Sequence, residues 1–301
     1  MILSKDKKGI LVTALSATGF GAMPVIAQFA YSYGSNVTTL LFLRFALASL
    51  IFLLILKLSN ITYNISKEDT VKLILLGAAG YGLMSSLYFF GISLIPASLS
   101  GFLLYSYPAI VTILAFFGQE EPLYRENFIS LVVAITGITM ILGPVFTSVD
   151  LLGVGSILLA ACVYAIYILA SNRVLKRVNW LSGSTVVSVS AASFFLITGS
   201  FRGNLHLNQV STEILLSGVG LAIFSTIVAV AGFYLGISLI GPSRASIVSS
   251  VEPFVTVLFS ALFFAERLTF IQFFGGLLII CSIIILNKFK NYREKLFDKP
   301  A

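Results

Sequence analysis

Apolar residues in this chain fall into long runs separated by short polar stretches. The runs cover Ile10–Tyr31, Val37–Leu56, Val71–Ile95, Ala97–Gly118, Phe128–Leu142, Leu151–Ala170, Ser182–Thr198, Ile214–Leu239, Ser243–Ala265 and Phe270–Leu286. A bilayer's hydrocarbon core takes about 20 helical residues to cross. Within it an open strand or loop would leave backbone N–H and C=O groups unpaired, so each run is predicted to be helical. The first run follows Lys5, Lys7 and Lys8. It is too long for the apolar region of a signal peptide and lacks a small-x-small cleavage site, so it is expected to stay as a first span.

Composition strengthens the reading: 58% of residues are hydrophobic, 10% are charged, and mean hydropathy is +1.02. A soluble domain carries about 25% charged residues. The net charge of +7 does not mark a nucleic-acid surface, because the basic residues punctuate the gaps between runs. With an inside N-terminus, the inner segments hold Lys5, Lys7, Lys8, Lys57, Lys67, Lys72, Arg125, Arg173, Lys176, Arg177 and Arg244 and the tail from Lys288 to Lys299. Arg202 and Arg267 fall outside, and Arg44 lies within a span. Positive charge is retained on the cytoplasmic side, which predicts ten spans with both termini in the cytoplasm. Cys162 and Cys281 lie in apolar runs without a C-x-x-C partner and are expected to be buried packing residues. The single His206 sits in a polar loop with no second histidine nearby, and is read as solvated. No metal site or cofactor is indicated.

Gly91-Ile-Ser-Leu-Ile95 recurs as Gly236-Ile-Ser-Leu-Ile240, an offset of 145. The same offset aligns Ser98 with Ser243, Pro108 with Pro253, Glu121 with Glu266, Leu123 with Leu268 and Phe128 with Phe273. Weaker similarity joins Ala17 onward with Ala161 onward. The chain therefore divides into an N-terminal segment 1–9, a repeat at 10–143, a linker at 144–150, a second repeat at 151–287 and a basic tail at 288–301. Five spans per repeat is an odd number, so the second repeat enters from the opposite face. The expected fold is all-α: a polytopic integral membrane protein of ten transmembrane helices, two inverted five-helix repeats around a central cavity. Inverted repeats of this kind build transporters with a site near the bilayer midplane.

Several ordered features resemble the drug/metabolite transporter superfamily, in particular its EamA-type ten-helix carriers. They are Arg44 in the second span, Gly91-Ile-Ser-Leu-Ile-Pro-Ala-Ser98, Tyr107-Pro108, and Gln119-Glu-Glu-Pro-Leu123. The second half offers Gly236-Ile-Ser-Leu-Ile-Gly-Pro-Ser243, Glu252-Pro253 and Ala265-Glu-Arg-Leu268. The resemblance spans about residues 10–287 and implies a carrier of small metabolites, often an exporter, in a bacterial inner membrane. Family members often carry tryptophan in the first and sixth spans; here Phe20 and Tyr164 stand there.

Glu252 is the sharpest candidate. It stands nine residues after Ser243, about 13–14 Å along a helix and near the bilayer centre. A charge there costs at least about 2.5–3.5 kcal/mol and needs a partner, water or a proton. Two readings follow: a proton-coupling or substrate-amine site, or a carboxyl hydrogen-bonded across helices beside Pro253. Tyr107 occupies the equivalent place in the first repeat, so the site is expected to be asymmetric. Arg44 could attract an anionic group, but a structural role, snorkelling outward or bonding helix-end carbonyls, is favoured. Tyr81, Tyr88, Tyr164 and Tyr234 are further substrate-lining candidates, drawn from the in-span tyrosines that also include Tyr105 and Tyr167. Pro108 and Pro253 each remove a helical hydrogen bond at paired places and are candidate hinges. Glu121 and Glu266 lie at span ends and are expected to act as solvated caps or salt bridges.

The leading functional class is thus a secondary carrier of amino acids or related small solutes, with protons as a candidate coupling ion, working as a monomer or homodimer among membrane lipids. The chain has no G-x-x-x-x-G-K-[ST] motif, which excludes ATP-driven transport by this chain alone. An uncoupled facilitator or channel is the alternative. A membrane-embedded enzyme is disfavoured by the lack of H-E-x-x-H or paired aspartates.

Overall fold

The computed structural model of the chain describes residues 5–59, 65–117, 125–142, 149–175, 177–240, 248–249 and 251–297. Among them all regular structure is helical. The helices are α1 (Lys5–Gly21), α2 (Met23–Ser32), α3 (Val37–Leu58), α4 (Lys67–Leu75), α5 (Gly82–Leu94), α6 (Ala97–Leu104), α7 (Tyr107–Phe117) and α8 (Arg125–Leu142). After them come α9 (Leu151–Leu175), α10 (Trp180–Arg202), α11 (Thr212–Ala222), α12 (Ala229–Ile240), α13 (Glu252–Phe264) and α14 (Phe270–Phe297). Two π-helical segments join α4 to α5 (Leu76–Tyr81) and α11 to α12 (Ile223–Val228). Among the described residues, six continuous helical stretches are long and apolar enough to cross a membrane, and four shorter apolar helices accompany them.

Polar residues at the run boundaries set the helix starts. Asn36 caps α3 by accepting from the Thr39 N–H at 2.8 Å, and Ser66 accepts from Asp69 N–H at 3.0 Å to start α4. Asn179 and Ser211 do the same for α10 and α11. Each cap satisfies an N–H that the first helical turn cannot pair internally. Gly203 ends α10 at a φ of 66°, a left-handed conformation that glycine adopts without steric cost.

The principal helix pairs join residues before 143 to residues after 150. Helix α1 packs along α12, α5 along α9, α3 against α10, α6 against α13 and α8 against α14. The repeated pentapeptide explains part of this. A Cβ on Gly91 would run into Ile157 of α9, and one on Gly236 into Thr13 of α1. The last residue of each copy meets a glycine in return: Ile95 lies against Gly153 and Ile240 against Gly9. Without a hydrophobic effect to drive helices together in lipid, such close approaches supply the packing.

Candidate functional site

Proline breaks two helices at matching places. Helix α6 ends at Leu104 and α7 resumes at Tyr107, one residue before Pro108. Helix α13 starts at Glu252, one residue before Pro253. Tyr107 and Glu252, paired by the repeat, are thus both the first residue after a break. Neither proline kinks a continuous helix; each stands in the first turn, where its missing N–H is tolerated. The Pro108 side chain lies outside the described ones, whereas Pro253 is buried.

The break before α13 brings Glu252 to the first half of the chain. Its Oε2 lies 2.7 Å from Tyr105 Oη, which is also 3.0 Å from the Ser249 carbonyl. Tyr105 is buried in the turn between α6 and α7. From there aromatic rings run onward. Tyr105 meets Tyr107 at 6.0 Å between centroids, Tyr107 meets Tyr164 at 4.8 Å, and Tyr164 stacks on Tyr167 at 6.1 Å. Tyr167 then meets Tyr81 at 5.3 Å. Tyr88, on α5, interacts electrostatically with both Glu252 and Arg44.

Arg44 ends the chain of rings. Only 1% of its surface is exposed, so it does not snorkel. Its Nε donates to Thr226 Oγ1 at 3.0 Å, and its Nη2 lies 3.5 Å from both Tyr81 Oη and the Ser225 carbonyl. The faces of Phe45 and Phe89 flank the guanidinium at 4.9 and 5.5 Å, a favourable place for a desolvated cation. Tyr81 belongs to the first π segment and Ser225 and Thr226 to the second. Both π segments therefore converge on one arginine. Thr226 returns its own proton to the Leu221 carbonyl five residues back, at 3.1 Å, and Ser225 Oγ donates to Gly19 O on α1 at 2.8 Å. Wider π turns misalign backbone groups; here Thr226 and Arg44 supply donors to the Leu221 and Ser225 carbonyls.

The structure thus gathers Glu252, Tyr107, Tyr164, Tyr81 and Arg44 into one connected set, with Tyr88 in electrostatic reach of its two charges. The Tyr234 side chain lies outside the described ones. Sequence reasoning passed over Tyr105, Tyr167 and Thr226; the first two were visible only as tyrosines among others, and Thr226 was a single hydroxyl in an apolar run. Two other expectations are corrected. His206 is half-buried rather than solvated: its backbone N–H donates to Thr39 Oγ1 at 3.0 Å, and its Nδ1 lies 3.0 Å from Asn36 Nδ2. Cys281 is exposed rather than buried, and Cys162 is half-buried.

Glu266 is not a solvated cap of its own helix. Its carboxylate accepts from the Ala97 and Ser98 N–H groups at 3.1 and 3.2 Å and from Ser98 Oγ at 2.6 Å, closing the N-terminus of α6. Glu121 lies outside the described residues. A cavity of about 630 Å³ opens beside α10, lined by Leu53, Ile74, Phe194 and Ile197 among others. A second, of about 340 Å³, continues past Phe194 to Arg202 and Asn204. Neither is lined by Glu252, Arg44 or the tyrosines joining them.

The chain is a helical membrane protein that holds a half-buried carboxyl and a buried guanidinium between helices from both parts of its length, where ionisable groups are costly. The EamA-like transporter family model matches residues 7–143 and again residues 151–288, and the chain belongs to that family. An uncharacterized transporter of Synechocystis is 30% identical, the alignment covering 93% of each chain. The threonine/homoserine exporter RhtA of Salmonella typhimurium is 27% identical, over 91% of this chain and 88% of its own length. A solved crystal structure superposes with a TM-score of 0.67 at 15% identity, covering 93% of this chain and 97% of the other, so the fold is shared. The protein is an integral membrane member of a transporter family.

Proposed function

We propose that the chain is a secondary carrier that exports small amphoteric metabolites, amino acids and their hydroxylated relatives among them, by alternating access and in exchange for protons. The observation that carries this reading is the joining of Glu252 to Arg44 by tyrosines contributed from both parts of the chain. An amphoteric solute presents an ammonium and a carboxylate, the complements of those two charges. The aromatic walls between them suit its apolar portion.

Two inverted five-helix repeats, residues 10–143 and 151–287, form the moving parts in this reading. The pairing of helices supports it. The α1–α12 and α9–α5 contacts exchange when the halves are exchanged, whereas α3–α10 and α8–α14 each map onto themselves. The family model's two matches cover nearly the same two stretches. Ten spans put both termini on the cytoplasmic face of a bacterial inner membrane. Glu266 bonded to Ser98, and Asn36 bonded to the Asn204 carbonyl at 2.8 Å, then lie on the outer face, where that topology requires all four residues. The breaks before Pro108 and Pro253 serve as the hinges.

The test is reconstitution in proteoliposomes with labelled threonine, homoserine and a panel of other metabolites. Saturable counterflow is expected, with accumulation when the pH gradient favours proton exchange and loss of that dependence in Glu252→Gln. Non-saturable flux would replace the carrier by a channel or facilitator. Saturable transport with the same pH dependence in Glu252→Gln would remove proton coupling at this residue.

A further inference from the structure

Proline has no N–H to donate. Ser249, four residues before Pro253, therefore has a backbone carbonyl that no helical donor can reach from that position. The hydroxyl of Tyr105 stands in for the missing donor, with its oxygen 3.0 Å from that carbonyl. The same oxygen lies 2.7 Å from Glu252 Oε2. A phenol carries one proton and two acceptor sites. Tyr105 therefore cannot donate to both partners at once.

Two arrangements satisfy this count. When Glu252 is protonated, its O–H donates to the Tyr105 oxygen and the Tyr105 O–H donates to the Ser249 carbonyl; every group has a partner. When Glu252 has released its proton, the carboxylate is the stronger acceptor and takes the phenolic proton. The Ser249 carbonyl is then left without its donor, at the break in front of α13. The only proton lost is that of Glu252, and Tyr105 changes the direction of its own O–H without breaking it.

We propose that Tyr105 is the positioning residue that converts the protonation state of Glu252 into attachment or release of the Ser249 carbonyl, and so of the break before α13 from the α6–α7 turn. This rests on the proton-coupling reading of Glu252. Among the described residues, the ionisable groups that interact with Glu252 are tyrosines: Tyr105 and Tyr107 from the α6–α7 turn, Tyr88 from α5 and Tyr164 from α9. Of the other helices packed on α13, α1 meets it at Gly21 and carries its Lys and Asp residues in its first turn, and α2 carries Tyr31, whose hydroxyl donates to Phe89 O. Among the described residues no basic side chain forms an ion pair with Glu252.

Infrared difference spectroscopy of the full chain in lipid bilayers, cycled between acid and alkaline pH, reads this without any substrate. The expected spectrum contains a protonated-carboxyl band that Glu252→Gln removes, together with a phenol band that shifts on ring-labelling of tyrosine. In Tyr105→Phe the phenol band should vanish and the carboxyl band should move to higher frequency, because its hydroxyl has lost its acceptor. A carboxyl band unmoved in Tyr105→Phe overturns the relay and leaves proton coupling standing. No titrating carboxyl band in the unmodified chain overturns both. If Tyr105→Phe fails to fold, the labelled unmodified chain decides: a pH-difference spectrum with the carboxyl band and no phenol band counts against the relay, and one with both supports it. In proteoliposomes, Tyr105→Phe should reduce pH-driven accumulation about tenfold more than it reduces counterflow. Equal losses in both would mean that Tyr105 is structural only.

Discussion

Arg44 on α3 donates through Nε to Thr226 Oγ1 at 3.0 Å, and so joins the second span to the π segment between α11 and α12. Tyr81, the last residue of the other π segment, reaches the same guanidinium. A cation that is 1% exposed within a membrane needs partners, and here its Nε and Nη2 are engaged and two aromatic faces flank it. Arg44→Ala should therefore destabilise the fold by about 3 kcal/mol, the scale of a charged hydrogen-bond network left unpaired. Thr226→Val removes one neutral partner and should cost about 1 kcal/mol. Arg44→Lys keeps the charge but not the planar fork that serves several acceptors, and should fall between the two. Thermal unfolding in detergent orders the three variants. An Arg44→Ala protein melting with the unmodified chain would show that the π segments need no such anchor.

Much of this site was legible in the sequence because charge inside an apolar run is costly and demands a partner, whatever its role. Arg44 and Glu252 stand out for that reason, and the repeat offset of 145 pairs Tyr107 with Glu252 in the sequence alone. The π segments were not legible. A run such as Leu76–Tyr81 is as apolar as its flanks, and a change from four-residue to five-residue hydrogen bonding leaves no mark on hydropathy. Tyr105 was hidden for a related reason: its hydroxyl meets the Ser249 carbonyl that Pro253 leaves without a helical donor, a relation between residues 144 positions apart. Likewise Glu266 was recognisable as a cap, but not as the cap of a helix from the other half.

That cap gives a second prediction. The Glu266 carboxylate accepts three hydrogen bonds at the start of α6 and places negative charge where the helix dipole favours it. Glu266→Ala should cost about 1–2 kcal/mol, the typical worth of an N-cap. Glu266→Gln offers one oxygen in place of two and should recover part of it. Ser98→Ala keeps both backbone bonds and should be the mildest. Unfolding midpoints in that order would support a cap; equal midpoints for Glu266→Ala and Ser98→Ala would not.

The repeated glycines make a paired prediction. Gly91 and Gly236 stand at equivalent places, each with the opposite helix where a Cβ would go. Overpacking a tight contact costs about 1–3 kcal/mol, so Gly91→Ala and Gly236→Ala should lower stability by similar amounts. Gly155, also in a helix, has nothing within 4 Å of its missing Cβ. Gly155→Ala should be neutral or stabilising by up to about 1 kcal/mol, because alanine loses less backbone entropy in a helix. Folded yield and melting of the three variants check the contrast, and a Gly155→Ala protein as damaged as the other two would refute the packing explanation.

The tyrosine chain predicts a separation of ring from hydroxyl. Tyr164 meets the rings of Tyr107 at 4.8 Å and Tyr167 at 6.1 Å. If these rings wall the solute path, Tyr164→Phe preserves the wall and should transport within about threefold of the unmodified carrier. Tyr164→Ala removes two ring contacts of about 0.5–1.5 kcal/mol each. The void should be felt most by the bound solute, raising KM about tenfold, the equivalent of 1.4 kcal/mol, with a smaller change in maximal rate. Counterflow at several substrate concentrations separates the two parameters. A Tyr164→Ala protein with unchanged KM and reduced maximal rate would place the rings in the helical framework and not in the solute path.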